Sequence, residues 1–343
     1  MMSTINTCMK LEAAEAPLCI ARQAAEASDA IATVGAALRD MDPPFVATIA
    51  RGSSDHAATF SKYLIETATG TPVTSFAPSV SSVYQARSAM RNAVCITISQ
   101  SGQSPDLVSA TKAARADGAL TIAVVNDVSS PLARVADYTL PLCASPETAV
   151  AATKSYLASL TMLCRIVASW TNDDGLGKAL DDLPQAMEKA WQCDWSVTEP
   201  SFIKTNSLFV IGRGLGLGIA HEAALKFKET CRIHAEGYSA AEVLHGPAAV
   251  IREGFPILSL VQDDATAIGT KDTCARLAEM GADVFVAGAE VSGCTSLPSI
   301  EFDARLQPIL LAQTLYRFVN SCAVLRGENP DAPPNLMKVT ETT

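Results

Sequence analysis

Short apolar runs along this chain alternate with longer stretches in which apolar residues recur every three to four positions, the pattern of strands joined by amphipathic helices. A helical pattern over residues 9–38 opens it and stops at Pro43-Pro44, because proline cannot continue a helix. Strand patterns follow at 45–50, 93–98, 121–125 and 138–142, with helices predicted at 57–66 and 107–117. Asn172-Asp-Asp-Gly175 breaks the alternation, and the polar helical stretch 178–195 reads as a connector. Beyond it, strands are predicted at 207–212, 256–261 and 283–286.

The second half repeats the first. Ala50-Arg51-Gly52 after one strand is echoed by Gly212-Arg213-Gly214 after another, and each leads into a helix carrying a lysine and a glutamate. Such a repeat predicts an α/β protein of two tandem doubly wound parallel sheets, each in a three-layer αβα unit. The expected organisation is an N-terminal helical segment over 1–42, a first domain over 43–172, a helical connector over 173–200, a second domain over 201–326 and a tail over 327–343. Gly212, Gly214, Gly216 and Gly218 lack the spacing of a dinucleotide fingerprint, and no acidic residue clearly ends a following strand. A nicotinamide cofactor is therefore not expected.

Composition narrows the partners. A length of 343 residues fits two domains at about 150 residues each. A net charge of −10 disfavours nucleic acid and acidic membrane surfaces. No apolar run approaches the roughly 20 residues of a membrane span, and the N-terminus lacks a signal-peptide pattern, so a cytoplasmic protein is expected. The ten cysteines include no C-x-x-C pair, and His56, His221, His234 and His245 show no ligand spacing, so free thiols and no metal are expected.

Two turns could hold an anion. Ser99-Gln100-Ser101-Gly102-Gln103-Ser104 joins a strand to a helix, with Ser104 as N-cap, Pro105 at the first helical position and Asp106 facing the positive helix end. Arg51-Gly52-Ser53-Ser54-Asp55-His56 follows another strand of the same sheet. Ligands of such sheets bind at the carboxyl ends of the strands, so the turns can share a sugar phosphate; the plainer alternative is a pair of ordinary capped turns. In the helix from Ile219, Glu222, Lys226 and Glu229 lie within an arc of roughly 60°, which suits either a solvated ion-paired face or a reactive cluster. His245, before Gly246-Pro247, lies in a turn from which an imidazole could reach a ligand, and Lys338 sits in a tail where lysines are usually solvated.

Gly52-Ser53-Ser54, the serine turn, Glu147-Thr-Ala-Val150-Ala-Ala-Thr153-Lys154, Glu222-x3-Lys226-x2-Glu229, Glu242-x2-His245-Gly-Pro and Asn335-Leu-x-Lys338 occur in this order. Together they resemble the sugar isomerase (SIS) family, and within it the isomerase half of glucosamine-6-phosphate synthase, from Met9-x2-Glu12-x4-Pro17 to the tail. Met1-Met2-Ser3-Thr4 leads straight into this region without the synthase's N-terminal cysteine nucleophile, so the expectation shifts to stand-alone SIS-type amino-sugar-phosphate deaminases. Other departures are Arg51 for a cysteine, Ser53 and Ser104 for threonines, Pro334 for an arginine and Val339 for a serine.

The resemblance implies two tandem SIS domains that convert glucosamine 6-phosphate to fructose 6-phosphate and ammonia. It implies that Ser53, Ser54, Ser99, Gln100, Ser101 and Ser104 bind the sugar phosphate, with the Val150 backbone near the sugar. Glu229 would be the C1/C2 proton base, His245 would open the ring, Lys338 would form a Schiff base or position the open chain, and Glu222 and Lys226 would orient the site. It also implies a homodimer with shared active sites acting on hexosamine or hexose 6-phosphates, without a cofactor. The alternatives are an ammonia-dependent synthase, a simple phosphosugar isomerase and a non-catalytic sugar-phosphate sensor.

Overall fold

All seven apolar runs form strands in the computed structural model, which describes residues 6–338. Three helices come first: α1 (Cys8–Ala14), α2 (Ala16–Glu26) and α3 (Ser28–Met41). The last ends before Pro43-Pro44 with Asp42 in the left-handed region, at φ 45°. The chain folds into two compact units. Among the described residues, one comprises Leu18–Glu147, Lys154–Pro184 and residues 337–338; the other comprises residues 6–17, Thr148–Thr153 and Gln185–Leu336.

The first of these units holds β1 (Val46–Ile49), β2 (Val73–Ser75), β3 (Val94–Ser99), β4 (Leu120–Val125) and β5 (Tyr138–Pro141), all parallel in the order β2-β1-β3-β4-β5. Every residue of β1 and β3 is buried, as expected of a parallel sheet covered on both faces. Its covering helices are α4 (Ser53–Thr69), α5 (Ser79–Ser82), α6 (Pro105–Ala116), α7 (Pro131–Val135) and α8 (Lys154–Thr171). Helix α8 is buried at every position from Lys154 to Val167, the mark of a helix surrounded by other elements. Helix α9 (Asp174–Ala190) follows it.

The other unit repeats the topology. Helix α10 (Glu199–Lys204) precedes β6 (Ser207–Gly212), α11 (Leu215–Cys231), β7 (His234–Ser239), β8 (Pro256–Leu260), α12 (Ala267–Glu279), β9 (Asp283–Ala287), β10 (Thr295–Leu297) and α13 (Gln307–Leu325). Its sheet runs β10-β9-β8-β6-β7, so in both sheets the first strand lies between the second and the third. Phe227 anchors α11 through Phe202, whose ring also meets Phe285 and Phe318 at centroid distances of 5.4–5.5 Å. This apolar cluster fixes the helix that carries the acidic and basic residues.

Three strands lie outside the predicted runs. Strands β2 and β10 have only three residues each and lie at sheet edges, too short to show alternation. Strand β7 falls in the segment read as polar and rich in ionisable groups; it pairs only with β6. An edge strand tolerates such residues because one side stays open. Helix α11 begins at Leu215, four residues before the predicted start at Ile219. Among the described residues, no helix is long and apolar enough to cross a membrane.

Candidate active site

The serine turn follows β3 and is braced by the next connection. Ser99 Oγ accepts from the Gly102 amide at 3.1 Å and Ser101 Oγ from the Gln103 amide at 3.3 Å. The Asn126 amide donates to the Gln100 carbonyl and the Leu132 amide to the Gly102 carbonyl, each at 3.1 Å. Gly102 has φ 61°, and a Cβ there would stand 2.2 Å from Ser130 Oγ, so no other residue fits. Ser104 is the N-cap of α6, but its hydroxyl makes no cap hydrogen bond and stays uncommitted to the helix, contrary to the capping role read from sequence. Ser99 is buried, whereas Gln100, Ser101 and Ser104 are half-buried.

The neighbouring turn places Ser53 and Ser54, both half-buried, in the first turn of α4. Its N-cap, Gly52, has φ 55° and ψ −133°, and Gly214, the N-cap of α11, has φ 58° and ψ −129°. The two repeats thus share one backbone turn, closed to residues with a Cβ. Burial raises the Asp55 carboxyl above its ordinary range, opposed by the nearby charges of His56 and Arg51. Asp106 is buried at the start of α6, where Oδ1 accepts from the Leu107 amide and Oδ2 from Arg51 Nε and Nη2, at 3.1 and 2.9 Å. Sequence reasoning assigned no role to this ion pair.

The corresponding turn of the other repeat, after β8, is filled by its own side chain. Gln262 Nε2 donates to the Arg213 carbonyl at 2.7 Å, and to Asp264 Oδ2 and Thr266 Oγ1 at 3.0 Å. Asp263 and Asp264 add negative charge.

Helix α11 carries the second cluster, in the unit built on β6–β10. Lys226 Nζ lies 3.4 Å from Glu222 Oε1 and 2.5 Å from Glu229 Oε2; Glu222 and Lys226 are fully buried, and the Glu229 side chain is 20% exposed. The alternative of a solvated face therefore fails for Glu222 and Lys226. Tyr316 on α13 donates its hydroxyl to Glu222 Oε1 at 3.0 Å, a partner 94 residues away that spacing does not reveal. Counting eight, twelve and fifteen residues on from each N-cap glycine, Glu222, Lys226 and Glu229 correspond to Phe60, Leu64 and Thr67 of α4. The other copy fills the two deepest positions with apolar side chains. A buried ion pair where the fold accepts two apolar residues points to chemistry rather than to support.

Lys338 is not a free tail lysine. Its Nζ lies 3.0 Å from Glu147 Oε2, and Glu147 also accepts from the Ser155 amide and hydroxyl at 3.1 and 2.6 Å. Val339 and the rest of the tail lie outside the described residues. Val150, half-buried, follows a segment fixed by Glu12, whose carboxylate accepts from the Thr148 amide and hydroxyl and the Ala149 amide at 2.5–3.1 Å. His245 is exposed in the turn after β7, and its backbone amide donates to the Glu242 carbonyl. Among the described residues the geometry joins Glu222, Lys226 and Glu229 in one cluster and Lys338 to Glu147, but gives the His245 imidazole no hydrogen bond to the α11 cluster.

All ten cysteines are free. Burial pushes Cys95 and Cys231 up to about 12, and Cys143 and Cys274 up to about 11, which makes them poor nucleophiles. Among the described residues, no group of three or more His, Cys, Asp or Glu could hold a metal ion.

Comparison with known proteins matches the SIS domain to residues 45–168 and 201–283. An isomerizing glutamine–fructose-6-phosphate aminotransferase of Thermotoga maritima is 35% identical over 263 residues, 71% of this chain and 43% of that protein. Its counterpart in Methanothermobacter thermautotrophicus is 33% identical over 300 residues, 84% of this chain and 50% of that one. The chain spans about half the length of these curated relatives. Among solved structures, a candidate phosphosugar isomerase of Silicibacter pomeroyi superposes with a TM-score of 0.92 at 42% identity, covering 95% of this chain and 100% of that one. A glucosamine-6-phosphate deaminase of Thermotoga maritima, TM-score 0.72 at 19% identity over 96% of this chain and 100% of that one, shares the fold.

Proposed function

Because the chain belongs to the SIS domain family, we propose that it converts glucosamine 6-phosphate and water to fructose 6-phosphate and ammonia by aldose–ketose chemistry. The observation that carries this reading is the partly exposed Glu229 carboxylate held by a fully buried lysine. The names of the aligned relatives, aminotransferases on fructose 6-phosphate, support a phosphorylated hexose as substrate.

In this reading Ser53, Ser54, Ser99, Gln100, Ser101 and Ser104 hold the phosphate, and the Val150 backbone faces the sugar. His245 opens the pyranose ring. Glu229 removes the C2 proton to give an enaminol, and proton return to C1 leaves an imine at C2. Water adds to the imine carbon and ammonia departs, so atoms and charge balance without an oxidant. Lys226 fixes the Glu229 carboxylate, Glu222 fixes Lys226, and Lys338, tethered to Glu147, positions the open chain. The working assembly in this reading is a homodimer, in keeping with a mean hydropathy of +0.20.

Purified protein given glucosamine 6-phosphate without added metal or nucleotide is expected to release ammonia and fructose 6-phosphate in equal amounts. Keto-sugar phosphate formed from glucose 6-phosphate, with no ammonia from the amino sugar, would favour a plain isomerase, the second reading, which the likeness to the Silicibacter pomeroyi protein supports. Binding without turnover on any hexose or hexosamine 6-phosphate would leave a sensor. Ser101→Ala is expected to raise KM on the order of tenfold, with kcat changed less, since it removes a hydroxyl from an anion. An unchanged KM would remove Ser101 from the phosphate site.

A further inference from the structure

Two carboxylates stand in the first turns of the helices that follow the anion turns, Asp55 on α4 and Asp106 on α6. Asp106 is almost fully buried. Left alone, its charge would repel a phosphate dianion at the same helix end. Arg51 meets it there.

The backbone explains how. Strands β1 and β3 are neighbours, with Ile49 opposite Thr97, so Arg51, two residues past Ile49, emerges beside the turn that begins at Ser99. From that position the guanidinium reaches across to the first turn of α6 and places Nε and Nη2 on Asp106 Oδ2. This side-on pairing uses one edge of the guanidinium fork and turns Nη1 away from Asp106. Among the described residues Nη1 has no hydrogen-bond partner, and the Arg51 side chain is 53% exposed. A cation with a spare pair of donors therefore sits at the start of α6, the helix that follows the turn carrying Ser99, Gln100, Ser101 and Ser104, none of which bears a charge.

We propose that Arg51 is part of the phosphate site, donating from Nη1 to the bound phosphate while Nε and Nη2 cancel the charge of Asp106. The inference rests on the phosphate reading of the serine turns and deepens it. The planar guanidinium fork of Arg51 suits phosphate oxygens.

Calorimetric titration of the full chain with two probes, fructose 6-phosphate and inorganic phosphate, tests it. Arg51→Ala is expected to weaken both probes by at least about tenfold, and to flatten the loss of affinity with added salt. Because Arg51→Ala leaves Asp106 buried without its counter-ion, the double variant Arg51→Ala/Asp106→Asn guards the fold, and it is expected to remain weak for both probes. Recovery of wild-type affinity in the double variant would overturn the direct contact and leave Arg51 as a counter-ion alone. Arg51→Ala affinity within about twofold of wild type would overturn the inference while the wild type still bound the probes. A wild type that bound neither probe would instead overturn the phosphate reading, and the inference with it.

Discussion

Glu229→Gln is expected to lower kcat for glucosamine 6-phosphate by about 10²- to 10⁴-fold, the usual contribution of a positioned proton base. The amide keeps the size of the carboxylate and can still accept from Lys226, so fructose 6-phosphate should bind within about threefold of wild type. The contrast distinguishes a group that moves a proton from one that merely supports α11. Because Glu229 is the exposed end of the cluster and Lys226 the buried one, a loss of turnover without a loss of folding is the signature expected. Steady-state kinetics with a binding titration on the same preparation checks it, and turnover within about threefold of wild type would remove Glu229 from the proton transfer.

Lys226→Met should act on the fold first. The substitution leaves the fully buried Glu222 without its ammonium, and orphaning one member of a buried ion pair costs about 3–5 kcal/mol. Denaturant unfolding should show that loss as a lower midpoint at similar slope. The double variant Glu222→Leu/Lys226→Met, which brings the pair towards the Phe60 and Leu64 of the other repeat, should regain much of it. Loss under about 1 kcal/mol in the single variant would mean that water or a neighbour neutralises Glu222. In the double variant stability and activity should part, since α11 would be restored without the lysine that holds Glu229.

Much of the architecture was readable because a buried parallel strand is a short run of apolar residues and a helix has its own period. Runs such as 93–98 and 207–212 left little ambiguity. Strand β7 was not readable in the same way: His234, Glu236 and Ser239 follow no apolar rule when only one edge is paired. For the candidate site, spacing put Glu222, Lys226 and Glu229 on one side of a helix, but the same spacing describes a solvated face. Burial decides between the two, and burial comes from β6, β7 and α13 packed around α11. A local signal existed in the repeat itself, since aligning Gly52 with Gly214 sets Phe60 and Leu64 against Glu222 and Lys226. Tyr316, and the link of Lys338 to Glu147 across 191 residues, left no trace in spacing because the fold alone brings them together.

The Gln262 turn makes the two halves unequal material for redesign. Its amide is already spent on the Arg213 carbonyl and on the Asp264 and Thr266 side chains, and Gly216 permits this because a Cβ there would stand 2.6 Å from Gln262 Oε1. An insertion or a grafted recognition loop after β8 would thus displace a self-bonded turn that packs on the first residues of α11, and would leave the residues of the serine turn in the chain as they are. The same graft after β3 would remove the serines to which the proposed reading assigns the phosphate. In the proposed reading, a duplicated scaffold that places anion binding in one copy leaves the other as the place where a new loop can be added at less risk to the phosphate turns.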